Sequence, residues 1–350
     1  MKKYFLAVAS FFIYSHISLG QVYPGQMDST FVPVRSHHYD PELTFDFCVN
    51  EPAWSNQAGI HSAFGSTDRL YFRKEVPVNH DNDLSSSYST TVWRGERANA
   101  QILVWSSEAL EQVRVSTQDL RSAEGNIIPK DRITFELVRY VLSNYPYAEK
   151  KAICGESPYK SGFLMPDRFE TLDRFDLPSQ TTRPVWMMVD VPRGTAPGTY
   201  KGKVEVRAKG KAPQLLNLEI VVQNQLLPYP KDWKYRLDLW QNPWAVAWYN
   251  PVEPWSPEHK MLLKQHLKHY ADAGGTYITT YGVHSPWSDN SYMIEGGMIE
   301  WIKKADGTWA FDYKIFDEYV ELAMECGIDE AITLYTPIPW GFRHRYKDEA

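Results

Sequence analysis

Aromatic side chains with polar neighbours follow three short β-prone segments in the last third of the chain. These side chains are Trp240, Gln241, Tyr281, His284, Trp287, Tyr335 and Trp340. A flat aromatic face stacks on the C–H face of a sugar ring, while amide, hydroxyl and imidazole groups form directional hydrogen bonds with its hydroxyl groups. The combination indicates a site for a polyhydroxylated ring. For each aromatic residue, packing in a core is the alternative, and for His284 it is a structural hydrogen bond.

Metal and cofactor chemistry finds no support in the sequence pattern. No His, Asp and Glu residues cluster at metal-ligand spacing, so we expect neither a metal site nor a cofactor. The three cysteines, Cys48, Cys154 and Cys326, are odd in number and widely spaced, which argues against a disulfide framework. One bridge between Cys48 and Cys154 and three free thiols remain alternatives.

The candidate side chains fall where parallel β/α units would bring them together. Arg236–Trp240, Tyr277–Tyr281 and Ala331–Thr336 are predicted strands, and a predicted helix separates each consecutive pair. In a parallel barrel the site lies at the carboxyl ends of the strands, and these side chains lie at or directly after those ends. Three strands cannot close a barrel of eight. We therefore expect residues 235–350 to be the first part of an incomplete (β/α)8 TIM-type barrel, and the natural protein to continue beyond Ala350.

Capping signals bound the two predicted helices. Ser256 followed by Pro257 predicts the start of the first helix, and Gly274-Gly275 predicts its end. Asp312 is the predicted cap of the second helix, which ends at Gly327. The buried stripe of the second helix is predicted to be Ile315, Phe316, Tyr319, Val320, Ala323 and Met324.

A different pattern occupies residues 91–223, where short strands alternate with turns. The segment Val185–Val191 is almost continuously apolar, and Tyr200–Val206 alternates apolar with charged residues, as in a strand with one face in water. Several strands at roughly ten-residue spacing, without a convincing helix, indicate a β-sandwich. The proline-rich segment at residues 226–233 marks the domain boundary, because prolines cannot serve a central strand. We predict an N-terminal β-sandwich domain over residues 21–228.

The amino terminus predicts export. Lys2-Lys3 precede an apolar run from Tyr4 to Tyr14, and Ser18-Leu19-Gly20 precede the polar Gln21, which describes a cleaved signal peptide over residues 1–20. The apolar run is too short for a permanent membrane helix, which needs about 20 apolar residues. We expect a periplasmic or extracellular protein with no membrane span after cleavage. Nucleic acid is not an expected partner, because the net charge is −6 and no basic cluster is interleaved with aromatics.

Longer motifs in both regions resemble glycoside hydrolase family 123 and its relatives in Bacteroidetes. In the C-terminal region these motifs are Leu237–Pro243, Pro254–Ser256, Asp272–Gly275, Pro286-Trp287, Asp306–Trp309, Phe311–Tyr313 and Phe316-Asp317. In the N-terminal region they are Trp93–Gln101, Arg183–Pro192 and Pro197–Gly202. The resemblance runs from about residue 50 to the end of the chain.

The resemblance implies an exported hexosaminidase of the β-N-acetylgalactosaminidase type with a substrate-assisted, retaining mechanism. In that chemistry one carboxylate orients the 2-acetamido group, whose oxygen attacks the anomeric carbon, and a neighbouring carboxylic acid protonates the leaving oxygen. The family carries the two as adjacent Asp and Glu residues at the end of a middle barrel strand. The implied partner is an oligosaccharide or glycoconjugate that contains N-acetylhexosamine.

Three Asp-Glu pairs lie late in the chain. Asp317-Glu318 falls in the second predicted helix, and Asp329-Glu330 precedes the third strand, at the opposite end from the expected site. Asp348-Glu349 lies at the expected end but within a polar loop, so Asp348 and Glu349 are the remaining candidates. We expect the catalytic pair on a strand beyond Ala350 instead.

Two other functions remain open. One is a glycosidase of different sugar specificity, because one scaffold hosts several specificities and a fold does not fix function. The other is a non-catalytic carbohydrate-binding protein, in which the aromatic strand ends hold glycan without cleaving it. A downstream Asp-Glu pair favours an enzyme, whereas binding without turnover favours the binding protein.

Overall fold

The computed structural model describes residues 51–77, 84–143, 163–171, 173–283, 297–335 and 346–349. The chain divides between Leu227 and Pro228 into two compact units, called unit 1 and unit 2 below. The division falls inside the proline-rich segment that suggested a boundary. The predicted signal peptide at residues 1–20 lies outside the described residues. Within those residues, no helix has both the length and the apolar character needed to cross a membrane.

Strands dominate unit 1. They are β1 (His61–Gly65), β2 (Ser87–Arg94), β3 (Arg97–Ser106), β4 (Leu110–Thr117), β5 (Leu120–Arg121), β6 (Ile127–Ile128), β7 (Ile133–Ser143), β8 (Phe163–Thr171), β9 (Phe175–Leu177), β10 (Thr181–Asp190), β11 (Gly198–Arg207) and β12 (Gln214–Leu226). One sheet has the order β1-β3-β10-β7-β8 and is antiparallel throughout. The other follows β2-β12-β11-β4-β9, and only the β12–β2 pair of that path is parallel.

A single hydrophobic core draws on both sheets of unit 1. Alternate residues of one central strand from each sheet supply much of it: Ala98, Ala100, Ile102, Val104, Tyr200, Val204 and Val206. Lys201 and Lys203 lie exposed between the buried residues of β11, which confirms the predicted alternation. Each fully buried aliphatic side chain contributes about 1.5–3 kcal/mol to the free energy of unfolding. Two sheets that share one core form a sandwich.

Unit 2 combines helices with short sheets. Its helices are α1 (Pro243–Tyr249), α2 (Pro257–Asp272) and α3 (Lys314–Glu325), and its strands are β13 (Tyr277–Tyr281), β14 (Glu300–Lys303), β15 (Trp309–Asp312), β16 (Ala331–Tyr335) and β17 (Lys347–Asp348). β13 and β16 pair in parallel with Thr279 opposite Thr333, as two of the predicted strands require. β14 and β15 form a hairpin, and β17 adds to β14 in parallel. Among the described strands, β13 and β16 form the one parallel pair that matches the predicted barrel strands, so the eight-stranded barrel stays a prediction.

The predicted strand Arg236–Trp240 is wrong. Only an isolated parallel bridge joins Leu237 to Gly275. Side chains take the place of the missing ladder: the Tyr270 hydroxyl donates to the Leu237 carbonyl over 2.8 Å. The backbone N–H of Thr279 on β13 donates to the side-chain oxygen of Gln241, at 2.9 Å, and not to a backbone carbonyl of a neighbouring strand. The segment thus lies beside β13 without being a strand.

The helix boundaries agree with the capping signals, with two corrections. Ser256 caps α2 by accepting the His259 N–H at 3.2 Å, as predicted. Tyr313 occupies the cap of α3, and the predicted cap, Asp312, ends β15 and accepts the Lys314 N–H at 2.8 Å. The predicted buried stripe is confirmed at Tyr319 and Ala323, and Ile315, Phe316 and Val320 pack partly buried against the same core. It is wrong at Met324, which is exposed because it lies off this face, and it missed the buried Leu322.

Candidate functional site

The ends of neighbouring chain segments in unit 2 bring together four of the predicted side chains. The rings of Trp240 and Tyr335 meet edge to face with centroids 4.6 Å apart, and Tyr335 lies 6.1 Å from Tyr281. The Tyr281 hydroxyl donates to the Gln241 carbonyl, and Gln241 Oε1 accepts the Thr279 N–H. Because β13 and β16 are parallel, these groups collect at the carboxyl ends of the strands.

Exposure separates the roles of these four residues. Trp240 is 54% exposed and therefore offers a ring face to a ligand. Tyr281 is fully buried, and its hydroxyl holds the segment that carries Trp240 and Gln241. Tyr335 is half-buried and supports the Trp240 ring from the side, and burial raises the pKa of its hydroxyl. The arrangement suits stacking of an apolar ring face on Trp240, with amide groups close by. His284, Trp287 and Trp340 lie outside the described residues.

Asp238 joins the candidate site, although the sequence interpretation did not select it. Its Oδ2 accepts a hydrogen bond from Thr333 Oγ1 at 2.9 Å, and its side chain is exposed two residues before Trp240. A carboxylate beside an aromatic face can accept hydrogen bonds from sugar hydroxyl groups. The signal that would have found it is the period of two in extended chain, which places residues 238 and 240 on one face.

Aromatic packing fixes the chain that follows Trp240. The Asn242 side chain caps α1 by accepting the Ala245 N–H at 3.1 Å, so the chain turns directly after Gln241. Trp244 is buried on α1, with its ring 5.6 Å from Trp255 and 5.6 Å from Tyr281. Trp240 is therefore held between a capped turn and a packed core.

His259 is a structural residue of this core. Its Nδ1 accepts the Trp255 N–H at 2.8 Å, so the proton lies on Nε2, which donates to the Pro243 carbonyl at 2.8 Å. The side chain is fully buried, and burial lowers the pKa of the imidazole. A second proton on Nδ1 would face the Trp255 N–H, which is a donor. The neutral tautomer therefore ties α2 to the start of α1.

The three Asp-Glu pairs each have a structural partner. Asp348 and Glu349 lie at the edge of the hairpin sheet, where they pair with Lys303 at 3.8 Å and Lys304 at 2.9 Å. In the pair at residues 317–318, Glu318 bonds Lys260 of α2 at 2.7 Å.

The last of the three pairs, Asp329-Glu330, precedes β16, and the Glu330 carboxylate accepts from Thr276 Oγ1 at 2.8 Å. Within the described ranges, no adjacent Asp and Glu follow the carboxyl ends of β13 and β16, the parallel pair that carries the candidate site.

The described residues contain no group of three or more potential metal ligands. Cys326 carries a free thiol, and partial burial raises its pKa, which leaves it a weak nucleophile at neutral pH. Cys48 and Cys154 lie outside the described residues.

Comparison with known families assigns both units. A model of the glycoside hydrolase 123 N-terminal domain matches residues 64–208, and a model of the glycoside hydrolase 123 catalytic domain matches residues 240–350. These two matches place the chain in the class of glycoside hydrolases. Within that class, the chain belongs to glycoside hydrolase family 123, as the sequence motifs indicated.

One solved structure agrees with this assignment at the level of the fold. A family 123 glycoside hydrolase from Clostridium perfringens, solved to study glycolipid glycan hydrolysis, is similar with a TM-score of 0.74 and 24% identity. The match covers 83% of this chain and 50% of that one, so the chain spans half the length of that structure. A PapD-like domain of human CEP192 gives a TM-score of 0.25 at 12% identity, over 53% of this chain and 99% of that one. A comparison with curated protein sequences finds no match.

Proposed function

We propose that the complete protein is an exported β-N-acetylgalactosaminidase of the hexosaminidase type, acting on an oligosaccharide or glycoconjugate that ends in N-acetylhexosamine. The observation that carries the proposal is the exposed Trp240 ring, braced by Tyr335 at the carboxyl ends of parallel strands, in a chain of family 123. Asp238 and Gln241 add acceptors and donors beside that ring. Stacking and directional hydrogen bonds together select a sugar over a purely apolar ligand.

Unit 2 is proposed to be the opening of a (β/α)8 barrel. β16 pairs only with β13 among the described strands, and its Ile332 and Leu334 side chains are about half exposed. A parallel strand is normally covered on both faces, because crossover helices pack against it. A further strand and helix would cover these side chains and continue the strand order.

The proposed mechanism is substrate-assisted and retains the anomeric configuration. The 2-acetamido oxygen attacks the anomeric carbon while one carboxylate orients the amide, and a neighbouring carboxylic acid protonates the leaving oxygen. We place that carboxylate pair on a later strand of the barrel, because Asp348 and Glu349 are paired with lysines at a sheet edge. The aromatic site of this chain holds the sugar ring during the reaction.

Hydrolysis by the complete gene product tests the proposal. A panel of methyl β-glycosides of N-acetylgalactosamine, N-acetylglucosamine, galactose and glucose is assayed with the wild type, with Trp240→Ala and with Trp93→Ala. Trp93 is a matched control, because it is an exposed tryptophan on β2 of unit 1. We expect cleavage of the N-acetylgalactosaminide, a large loss in Trp240→Ala and none in Trp93→Ala.

The outcomes separate the candidate functions. Preferred cleavage of a glycoside without the acetamido group would replace the proposal by a different sugar specificity. Binding of N-acetylgalactosamine without turnover of any glycoside would favour a non-catalytic carbohydrate-binding protein.

Export is a separate part of the proposal. Residues 1–20 have the basic start, apolar run and small residues of a signal peptide. Amino-terminal sequencing of the mature protein should begin near Gln21, and a mature chain that retains Lys2 and Lys3 contradicts export by this route.

A further inference from the structure

An aromatic surface lies on the outer face of one sheet of unit 1. On β10, Val185 and Met187 are buried in the core, so Trp186 between them points to the opposite face of the sheet. The ring of Phe169 on β8 lies 5.6 Å from the Trp186 ring, with 31° between the two ring planes. These two rings are called the sandwich platform below.

The sandwich platform is open to solvent but small. Phe169 is 47% exposed and Trp186 is half-buried. A large aromatic side chain can bury about 150–250 Å², so the two rings together offer roughly 200 Å² to a ligand. A stable protein partner covers about 800 Å² on each side. The sandwich platform therefore fits a ligand of one or two rings better than a protein.

Hydrogen-bonding groups flank the two rings on the neighbouring strands. Asn99 on β3 accepts a hydrogen bond from Trp186 Nε1 through its Oδ1 at 3.2 Å, which directs the Nδ2 of the same amide to a ligand. Glu136 on β7 lies opposite Trp186 in the strand register, and its carboxylate accepts from Thr171 Oγ1 at 2.8 Å. A carboxylate has further lone pairs for the hydroxyl groups of a ligand.

An ion pair borders the same face. The Arg97 guanidinium donates two hydrogen bonds to the Asp190 carboxylate, at 2.6 and 3.2 Å, and both side chains are about half exposed. Arg97 Nη1 also lies 3.6 Å from the sulfur of Met188, which shares the outer face of β10 with Trp186. The sandwich platform is thus surrounded by charged and polar groups that remain in contact with water.

This polar border decides which kind of ligand the sandwich platform accepts. A dry contact with a protein or a lipid would take the Arg97–Asp190 pair out of water, at a cost that such a pair rarely recovers. A sugar offers an apolar ring face to the aromatics and hydroxyl groups to the polar border, so both kinds of group keep a partner. Asp190 neutralises Arg97 and Glu136 adds a negative charge, so the face has no net positive charge for an anionic glycan.

We propose that the sandwich platform is a binding site for a neutral glycan. One pyranose ring stacks on Trp186 and Phe169, and its hydroxyl groups bind Asn99 and Glu136. All four residues belong to unit 1, so the site shares no residue with the candidate site of unit 2. The inference goes beyond the proposed function and does not depend on it, because a glycan held here keeps the protein on a glycan-rich surface without being cleaved.

The test measures binding of the complete gene product to immobilised mucin from which sialic acid has been removed. We expect Trp186→Ala and Phe169→Ala each to weaken binding about tenfold, through loss of one aromatic contact. Phe169→Tyr keeps a flat ring and should retain binding, whereas Phe169→Leu is apolar without a flat ring and should lose as much as alanine. Trp93→Ala, an exposed tryptophan on the other sheet, is the matched control and should have no effect.

A Trp240→Ala background separates the sandwich platform from the candidate site. Trp186→Ala should weaken mucin binding by the same factor in this background as in the wild type. If Trp240→Ala alone abolishes the binding, the glycan is held by unit 2 and the inference is overturned.

Three other results would overturn the inference: no binding of the wild type to desialylated mucin, wild-type binding by Phe169→Leu, and tighter binding to intact, sialylated mucin. The matched Tyr and Leu variants keep the test decisive where thermal unfolding shows that an alanine variant is destabilised. Failure of the proposed function has a different signature, which is the absence of cleavage of methyl β-N-acetylgalactosaminide, and it leaves these binding results unchanged.

Discussion

Two tryptophans four residues apart should lose different properties on substitution by alanine, one sugar binding and the other stability. Trp240 is 54% exposed and touches Tyr335 edge to face, whereas Trp244 is 3% exposed and packs between Trp255 and Tyr281. Replacing each by alanine removes the same atoms. The proposed function gives the first ring to ligand binding, and burial gives the second to the core, so the pair is its own control.

The expected magnitudes follow from burial. Trp244→Ala leaves a large cavity among aromatic neighbours, and substitutions of that kind cost about 3–5 kcal/mol of the free energy of unfolding. Trp240→Ala removes a half-exposed ring with one aromatic partner, and loss of that contact should lower the free energy of unfolding by about 1 kcal/mol. For binding of N-acetylgalactosamine, loss of the Trp240 face should reduce affinity tenfold or more, corresponding to about 1.4 kcal/mol.

Two assays on the complete gene product separate the effects. Urea denaturation gives the free energy of unfolding of each variant, and titration calorimetry gives the affinity for N-acetylgalactosamine. Trp240→Ala should stay close to wild type in stability and lose binding, while Trp244→Ala should be strongly destabilised. The reasoning is refuted if Trp240→Ala is destabilised as much as Trp244→Ala, or if it binds the sugar as tightly as the wild type.

Three further predictions concern the supports of the site. Burial lowers the pKa of His259 from 6.5, so the unfolded state binds the proton more readily, and stability should fall as pH drops below about 6.5, by at most about 1.4 kcal/mol per pH unit. Urea denaturation between pH 7.5 and 5.5 should show a shallower fall in His259→Gln, and parallel curves would contradict this. Ser256→Ala removes the α2 cap and should lower the free energy of unfolding by about 0.5–2 kcal/mol. An unchanged midpoint of urea denaturation would contradict this. Tyr270→Phe leaves the Leu237 and Tyr277 carbonyls without its hydroxyl and should cost about 1–3 kcal/mol; a smaller loss than in Ser256→Ala would show that water replaces the hydroxyl.

Local signals in the sequence predicted much of unit 1 and both longer helices. The alternation in Tyr200–Val206 predicts a strand because every second residue must face the core between two sheets. Ser256 and Pro257 predict the start of α2 because the cap geometry is local. Such patterns can be predicted from the sequence because neighbouring residues alone determine them.

Features that depend on distant partners escaped prediction. The Arg236–Trp240 segment has the composition of a strand, but the Tyr270 hydroxyl and the Gln241 side chain take the hydrogen bonds that a ladder would use. The pairing of β17 with β14 joins residues far apart in the chain, which no local pattern encodes.

The candidate site was predicted only in part, because local position in the sequence does not reveal burial or distant partners. Position after a strand selected Trp240, Gln241, Tyr281 and Tyr335, and the structure brings these four together. Position along the sequence could not distinguish the exposed Trp240 from the buried Tyr281, because burial depends on packing by α1 and α3. Asp238 was missed because the period of two was not applied to it, and only the fold shows that Thr333 of β16 lies beside it.

A crystal structure of the complete gene product with N-acetylgalactosamine-thiazoline tests the central claim most directly, because this compound mimics the cyclic intermediate of a substrate-assisted reaction. The account predicts that the sugar ring stacks on the Trp240 indole, at the carboxyl ends of β13 and β16, with the Asp238 carboxylate within hydrogen-bonding distance of a ring hydroxyl. A thiazoline bound away from Trp240, or a protein that does not bind it at all, would contradict the account.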